Sequence, residues 1–297
     1  QFGSLDGIYQ NLDKIPEKIR QKLEEHKKEA YLSRELIELE RNVPIEFKLE
    51  DFEVQKPNRE KLVSLFRELE FQKLLSEYSQ ESKEVKRENY ELITKPEILE
   101  KWVKELKEKA AFAFDIETTS QEPMKAEPVG FSFATEEGRA CYLPFAHKTG
   151  LGEEQLGKKQ VFEQLKPVLE SEQLKKIGQN IKYDYIVLKR AGMEPEGYIF
   201  DTMLASYLLN PRRRTHNLND LALEYLNHKM ITFEEIAGKG KSQKLFSEID
   251  LKSACQYSAE DADIALRLYH KLAPLLKQHN LERLYYEIEL LLFFFLP

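Results

Sequence analysis

One stretch of the chain ends an apolar run with two acidic residues: Ala110-Ala-Phe-Ala-Phe-Asp-Ile-Glu-Thr-Thr119. Its first part, residues 110–114, is apolar and lies between charged residues, a pattern that predicts a short buried strand. Residues i and i+2 of a strand face the same side, so Asp115 and Glu117 are predicted to project together. The stretch therefore predicts a buried strand that presents two carboxylates where its apolar part ends.

Two later stretches place acidic residues in predicted helices. Asp184 ends Asn180-Ile-Lys-Tyr-Asp184, which opens a helix with Asn180 as the predicted N-cap. Tyr257 and Asp261 stand at i and i+4 in Tyr257-Ser-Ala-Glu-Asp261, so they share one face of a helix predicted over residues 250–272. Mg²⁺ prefers hard oxygen ligands, and a pair of metal ions is a common device for phosphodiester hydrolysis. The four carboxylates thus predict a site for two divalent cations.

These three stretches resemble the motifs of the DEDD exonuclease superfamily, in its tyrosine-bearing subgroup. More specifically, residues 112–276 resemble the 3′–5′ proofreading domain of family A DNA polymerases, the bacterial DNA polymerase I type. The more specific similarity is carried by three runs: Phe200-Asp-Thr-Met-Leu-Ala-Ser-Tyr207, His216-Asn-Leu-Asn-Asp-Leu-Ala222 and Thr232-Phe-Glu-Glu-Ile-Ala-Gly-Lys-Gly-Lys241.

The resemblance implies a role for each residue of the motifs. Asp115, Glu117, Asp184 and Asp261 would be catalytic residues that hold two Mg²⁺ or Mn²⁺ ions. Tyr257 would be the catalytic residue that positions the attacking water.

Four residues are predicted to bind substrate. Asn180 belongs to the second motif as a supporting residue. Gln121 stands where the family usually has a leucine that wedges against the terminal base. This difference from the family is expected to affect binding of the primer end and not hydrolysis. Arg213 and Lys241 belong to two groups of loop cations that are predicted to contact phosphates; the groups are Arg212, Arg213 and Arg214, and Lys239, Lys241 and Lys244.

Alternating apolar residues predict a hairpin from residues 129–134 and 139–143, beside the strand of residues 110–114. Short strands near residues 176–178 and 198–200 are each followed by a helix. A mixed sheet with helices on both faces gives an α/β fold of the ribonuclease H-like kind, preceded by a small helical segment.

Four regions are expected along the chain. Residues 1–50 resemble the C-terminal remnant of a 5′-nuclease domain, and residues 51–88 form a helical connection and a charged linker. Residues 89–276 form the 3′–5′ exonuclease domain, and residues 277–297 are the start of a truncated polymerase domain. No stretch resembles polymerase fingers or palm, so neither DNA synthesis nor 5′-nuclease activity is expected of this chain.

Composition predicts the cellular compartment of the protein and argues against several kinds of site. The net charge of −7 over 297 residues argues against a generally basic nucleic-acid coat, although bound metal ions supply local positive charge. The chain has only two cysteines, so we expect no disulfide framework and a protein of the reducing cytosol. The histidines are scattered without the spacing of zinc ligands, so no zinc site is expected. The apolar run of residues 290–296 is far shorter than the ~20 residues of a membrane span. No signal peptide is visible, so a cytoplasmic protein without membrane contact is expected.

The function predicted from these observations is a metal-dependent 3′–5′ proofreading exonuclease of a DNA polymerase I involved in replication and repair. Its expected partners are a single-stranded or frayed DNA 3′ end and the missing polymerase domain, and a monomer is expected. Two alternatives stay open: a non-catalytic scaffold that binds nucleic acid, and an RNA 3′-end trimming exonuclease.

Overall fold

The computed structural model describes residues 2–46, 48–54, 56–69, 71–78, 90–148 and 154–295. The chain forms two compact units, Gln1–Lys56 and Pro57–Pro297. Most of the charged linker predicted within residues 51–88 lies outside the described residues. Among the described residues, no helix has both the length and the apolar character that crossing a bilayer requires.

The first unit is the small helical segment that the sequence predicts. Its helices are α1 (Leu5–Gln10), α2 (Glu17–Glu25) and α3 (Lys27–Ile37). The side chain of Ser4 caps α1 by accepting a hydrogen bond of 3.0 Å from the Gly7 amide. Asp6 joins α1 to α3, because its carboxylate accepts hydrogen bonds from Tyr31 at 2.7 Å and Arg34 at 2.8 Å.

The second unit contains a six-stranded sheet with helices around it. Its strands are β1 (Tyr90–Leu92), β2 (Ala111–Thr118), β3 (Pro128–Glu136), β4 (Arg139–Pro144), β5 (Lys175–Gly178) and β6 (Tyr198–Asp201). Its helices are α4 (Arg59–Glu68), α5 (Gln72–Tyr78), α6 (Pro96–Glu108), α7 (Lys158–Leu169), α8 (Ile181–Arg190), α9 (Thr202–Leu209), α10 (Leu218–Leu226), α11 (Phe233–Ala237), α12 (Leu251–Gln278), α13 (Glu282–Leu284) and α14 (Leu290–Phe295), with a π-helical turn at Tyr285–Glu289.

The sheet is mixed, as predicted, with the strand order β1-β4-β3-β2-β5-β6. The central strands β2, β3 and β4 pair antiparallel, whereas β1 joins β4 and both β5 and β6 join in parallel. Strand β2 continues four residues past the predicted end of its apolar part. The reason is its ladder with β3, in which Asp115 lies opposite Ser132 and Glu117 lies opposite Gly130.

The two faces of β2 contribute to different clusters of buried side chains. Phe112 and Phe114 pack with residues of α6 and α7, whereas Ala113, between them, packs with residues of α9, α10 and α12. Each phenylalanine that is fully buried in this way contributes roughly 1.5–3 kcal/mol to folding. Helices therefore cover both faces of the sheet, which confirms the predicted α/β architecture.

Candidate active site

The alternation of β2 directs its two acidic side chains towards α12. Asp115 and Glu117 follow Ala113 at steps of two, so they lie on the face that Ala113 shares with α12. Carboxylate oxygens of Asp115, Glu117 and Asp261 all lie within 4.8 Å of one another. A strand and a distant helix thus bring three of the four predicted carboxylates into one half-buried cluster.

Helix α12 supplies more to this cluster than Asp261. Its start is fixed by Asp250, whose carboxylate accepts a hydrogen bond of 2.9 Å from the Ser253 amide. Two turns further along, the hydroxyl of Ser258 donates a hydrogen bond to Glu117. The long helix therefore fixes one of the strand carboxylates directly as well as contributing its own.

Asp184 lies in the first turn of α8 and is buried, with 3% of its surface exposed. It is not a member of the group of carboxylates that meet within 4.8 Å in the described part of the chain. The prediction that Asn180 caps α8 is correct in position only. Asn180 adopts a left-handed conformation with φ of 56°, and its side chain makes no capping hydrogen bond. The Asp201 carboxylate takes this role by accepting from the Asn180 and Ile181 amides.

The carboxyl groups of the cluster all bind protons more tightly than usual. Burial raises the pKa of Asp115 to about 6. Burial, followed by the negative charge of Asp115, raises the pKa values of Glu117, Asp184 and Asp261 well above their usual range. A lysine or arginine beside these groups would lower their pKa values instead. The site therefore brings acidic groups together at an electrostatic cost, which burial and their mutual repulsion cause.

Tyr257 stands one helical turn before Asp261 on α12. The negative charge of Asp261, followed by burial, raises the pKa of Tyr257, so its hydroxyl keeps its proton at neutral pH. Phe233 and Phe246 hold its ring, with centroids 6.2 and 6.0 Å from that of Tyr257. Tyr257 is thus a firmly placed hydrogen-bond donor beside the carboxylates.

A cavity of about 540 Å³ opens beside Glu117, one of the three clustered carboxylates. Its wall includes Glu117 and Tyr257, together with Asn180 and Gln121, two of the predicted substrate-binding residues. The remaining lining residues are Thr118, Thr119, Ser120, Tyr183, Phe233, Gln243, Lys244, Leu245 and Phe246. The cavity therefore combines polar groups and aromatic rings next to the carboxylates.

The other two predicted substrate-binding residues do not line this cavity. Arg213 forms an ion pair with Glu224, and only 7% of its side chain is exposed. Its Nη1 is engaged in this pair, whereas its buried Nη2 makes no hydrogen bond within the described structure. Its contact with substrate stays a prediction. Lys241 lies in the 3₁₀ turn Gly240–Ser242, and its side chain is outside the described part of the structure. Lys244, from the same group of loop cations, does line the cavity.

The cluster fits a divalent cation. It offers oxygen ligands from three half-buried carboxylates within 4.8 Å, and hard cations such as Mg²⁺ prefer oxygen ligands of this kind. The raised pKa values of these groups reflect burial and mutual repulsion, and a bound cation would relieve the repulsion. Metal binding would therefore release protons from the site.

Comparison with known proteins agrees with this geometry. Residues 90–277 match the model of the 3′–5′ exonuclease family associated with family A DNA polymerases. The chain belongs to this family. Residues 1–60 match a second model, described as 5′–3′ exonuclease, C-terminal SAM fold. Exonuclease domains of the first family are metal-dependent, and the carboxylate cluster of this chain is able to hold metal ions.

Relatives of the chain include two bacterial proteins named DNA polymerase I. The protein from Pseudomonas aeruginosa is 38% identical over 91% of this chain and 32% of its own length. The protein from Borreliella burgdorferi is 32% identical over 98% of this chain and 34% of its own length. The chain thus spans about a third of the length of these relatives.

A solved structure shows the same fold. It is the POL domain of Pol1 from M. smegmatis in complex with DNA primer-template and dNTP. It superimposes with a TM-score of 0.53 at 20% identity, and the match covers 67% of this chain and 30% of that one.

Two residues of this exonuclease site were not assigned a role from the sequence, although both lie in runs that were quoted. Ser258 directly follows Tyr257, but its bond to Glu117 depends on how α12 crosses β2. Asp201 lies in the Phe200–Tyr207 run, but its contact with α8 joins residues twenty positions apart. The apolar neighbours of Asp201 could have indicated its role, because a single carboxylate in an apolar run needs buried hydrogen-bond partners.

Proposed function

We propose that the chain is a proofreading exonuclease, which hydrolyses DNA phosphodiesters from the 3′ end with two divalent ions, Mg²⁺ or Mn²⁺. The observation that carries this proposal is the cluster of Asp115, Glu117 and Asp261, whose member Glu117 lines a cavity together with Tyr257. Asp184, the fourth ligand in the proposal, lies on α8, where burial, followed by the negative charges of Asp115, Asp201 and Glu117, raises its pKa.

The four carboxylates would hold the ions, and Ser258 would keep Glu117 in place by its hydrogen bond. Bound divalent ions supply activation of the attacking water and stabilisation of the leaving 3′ oxygen. Tyr257 remains protonated, so its hydroxyl is suited to orient the water by a hydrogen bond and not to act as a base. The aromatic contacts with Phe233 and Phe246 fix that hydroxyl in place.

The cavity favours an unpaired terminal nucleotide as substrate. Its 540 Å³ accommodates a nucleotide-sized group, and the half-buried ring of Phe233 in its wall gives an apolar surface on which a base can stack. A mismatched 3′ end frays at little cost, so it would enter more often than a paired one. Lys244 at the wall offers a cation for the phosphate backbone.

We further propose the place of this activity in a larger protein. Residues 89–276 would be the exonuclease domain, and residues 1–50 the end of a 5′-nuclease domain that residues 51–88 connect to it. Residues 277–297 would begin a polymerase domain, which would be the intramolecular partner of the site. The names of the relatives and the two family matches support this arrangement.

The direct test is release of mononucleotide from 3′-labelled single-stranded DNA in the presence of Mg²⁺ or Mn²⁺. The controls are the same reaction in EDTA, the Asp115→Ala variant, and a DNA whose terminal linkage resists hydrolysis. Mononucleotide release that needs metal and Asp115 is expected. Release no greater than in EDTA would indicate a binding scaffold and overturn the proposal. RNA of the same sequence, if it were cleaved faster than DNA, would overturn the assignment to DNA.

A further inference from the structure

The Asp201 carboxylate joins the beginnings of two helices. Its Oδ1 accepts hydrogen bonds from the Met203 amide at 2.8 Å, the Leu204 amide at 3.2 Å and the Asn180 amide at 3.1 Å. Its Oδ2 accepts a hydrogen bond from the Ile181 amide at 3.0 Å. Only 2% of Asp201 is exposed. One buried side chain thus caps its own helix, α9, and also the N-terminus of α8.

Helix α8 depends on this distant cap. The first amides of a helix have no partner within the helix, and a residue at the N-cap usually supplies one. Asn180 occupies that position without a capping bond from its side chain. The Asp201 carboxylate supplies the acceptor instead. It accepts from the amide of Ile181, which lies three residues before Asp184. A shift of the α8 start would therefore move Asp184 relative to the cluster of Asp115, Glu117 and Asp261.

Asp201 is itself held by Tyr285. The Tyr285 hydroxyl accepts a hydrogen bond from the Asp201 amide at 2.6 Å and donates one to the Asp201 carbonyl at 3.1 Å. The Tyr285 ring is fully buried and lies 5.1 Å from the Phe200 ring, centroid to centroid. Tyr285 lies beyond residue 277, where the match to the exonuclease family ends. A segment outside the matched domain thus holds the edge strand β6.

We propose that Asp201 is a positioning residue for Asp184 and that Tyr285 is a positioning residue for Asp201. The segment that follows α12 is then a structural part of the nuclease site and not merely a connection to whatever follows it. This inference rests on the proposed function, because it assumes that Asp184 is a ligand of the metal site. It adds a requirement that the motifs do not contain: a tyrosine outside the domain sets the geometry of the fourth ligand.

The test uses Tyr285→Phe in the full chain, which removes one hydroxyl and keeps the ring packing. Tyr286→Phe is the matched control, because it makes the same change one residue later at a side chain that is 39% exposed. Hydrogen exchange of the amides of residues 180–184 reports the start of α8. Calorimetric titration with Mn²⁺, and kcat and KM on single-stranded DNA, report the metal site.

Tyr285→Phe is expected to speed exchange at residues 180–184 and to weaken Mn²⁺ binding by about 10-fold or more, as loss of groups that orient metal ligands does. The kcat should fall by a similar factor, because Asp184 is displaced from the cluster of Asp115, Glu117 and Asp261. Tyr286→Phe should match the wild type in all three measurements. Asp201→Asn should have a larger effect in the same direction, but it removes a buried charge with four hydrogen bonds, so Tyr285→Phe is the decisive variant.

A combination with Asp184→Asn separates positioning from general destabilisation. If Tyr285 acts through Asp184, the effect of Tyr285→Phe on Mn²⁺ affinity should vanish in the Asp184→Asn background. The same loss in both backgrounds, or unchanged Mn²⁺ affinity in the single variant, would overturn the inference. A wild-type chain that binds Mn²⁺ but releases no mononucleotide would refute the proposed function, whereas the exchange and titration comparisons would still decide the positioning.

Discussion

The two faces of β2 divide stability and chemistry between them. Phe112 and Phe114 lie on one face among apolar side chains of α6 and α7 and are almost fully buried. Asp115 and Glu117 lie on the other face, half-buried against α12, with raised pKa values. The apolar face stabilises the folded state. The acidic face brings carboxylates together, which costs electrostatic free energy. A strand can do both because its side chains alternate.

Removal of a carboxylate tests the charged face and should give the largest effect. Asp115→Ala should lower the rate of 3′-end hydrolysis by about 10³-fold or more, since metal ions contribute several kcal/mol to such reactions and each 1.4 kcal/mol is tenfold. The melting temperature in EDTA should stay the same or rise, because repulsion is relieved. Steady-state kinetics and thermal melts measure both. A variant with near wild-type activity would contradict the assignment of this residue.

Removal of a ring tests the apolar face. Phe114→Ala should destabilise the fold by about 3–5 kcal/mol, the usual cost of such a cavity, because Phe114 is 1% exposed and contacts Phe131 and Phe133. Urea unfolding at neutral pH measures the loss. Activity per folded molecule should remain within a few-fold of wild type at low temperature. A loss of activity equal to that of Asp115→Ala in fully folded protein would show that the two faces are not independent.

The pH dependence of stability sharpens the contrast. Burial raises the pKa of Asp115 from 3.8 to about 6, so its contribution to stability is present below 3.8 and is lost as the pH rises through 6. Asp115→Asn removes this titration. In EDTA, the free energy of unfolding of the variant relative to the wild type should rise by on the order of 1–3 kcal/mol between pH 4 and pH 7, since one pKa unit is about 1.4 kcal/mol.

Urea unfolding of both proteins across this range measures the difference. Equal stability differences at pH 4 and pH 7 would show that Asp115 does not titrate as described. Addition of Mn²⁺ at pH 7 should stabilise the wild type more than the variant, because a ligand that binds only the folded state stabilises it by mass action.

The smallest effect is expected at the contact between the acidic face of β2 and α12. Ser258→Ala removes the hydroxyl that donates to Glu117, and such a bond is worth about 1 kcal/mol. A fall in kcat of about 5- to 10-fold is therefore expected. Ser253→Ala, near the start of the same helix, is the control and should leave kcat unchanged. An equal fall in both variants would point to a general effect on α12.

Much of the fold was predictable from local pattern. Apolar alternation located β3 and β4, and the spacing of Tyr257 and Asp261 placed both on one face of α12, because helix and strand periods are fixed by backbone geometry. Strand β2 runs further than its apolar residues indicate, since its end is decided by the ladder with β3. The part of the connection within residues 79–89 lies outside the described residues, so that prediction stays untested.

Like the fold, the site has features that local sequence predicts and features that only tertiary contacts decide. The sequence by itself determined which side chains carry the charge, and the two-residue step in β2 determined that Asp115 and Glu117 face the same side. Tertiary structure alone decided that α12 crosses that side, that Asp201 and not Asn180 caps α8, and that Arg213 forms an ion pair with Glu224. The physical reason is range. Backbone periodicity acts over a few residues, whereas these contacts join positions that only the packing of the sheet and its helices brings within hydrogen-bonding distance.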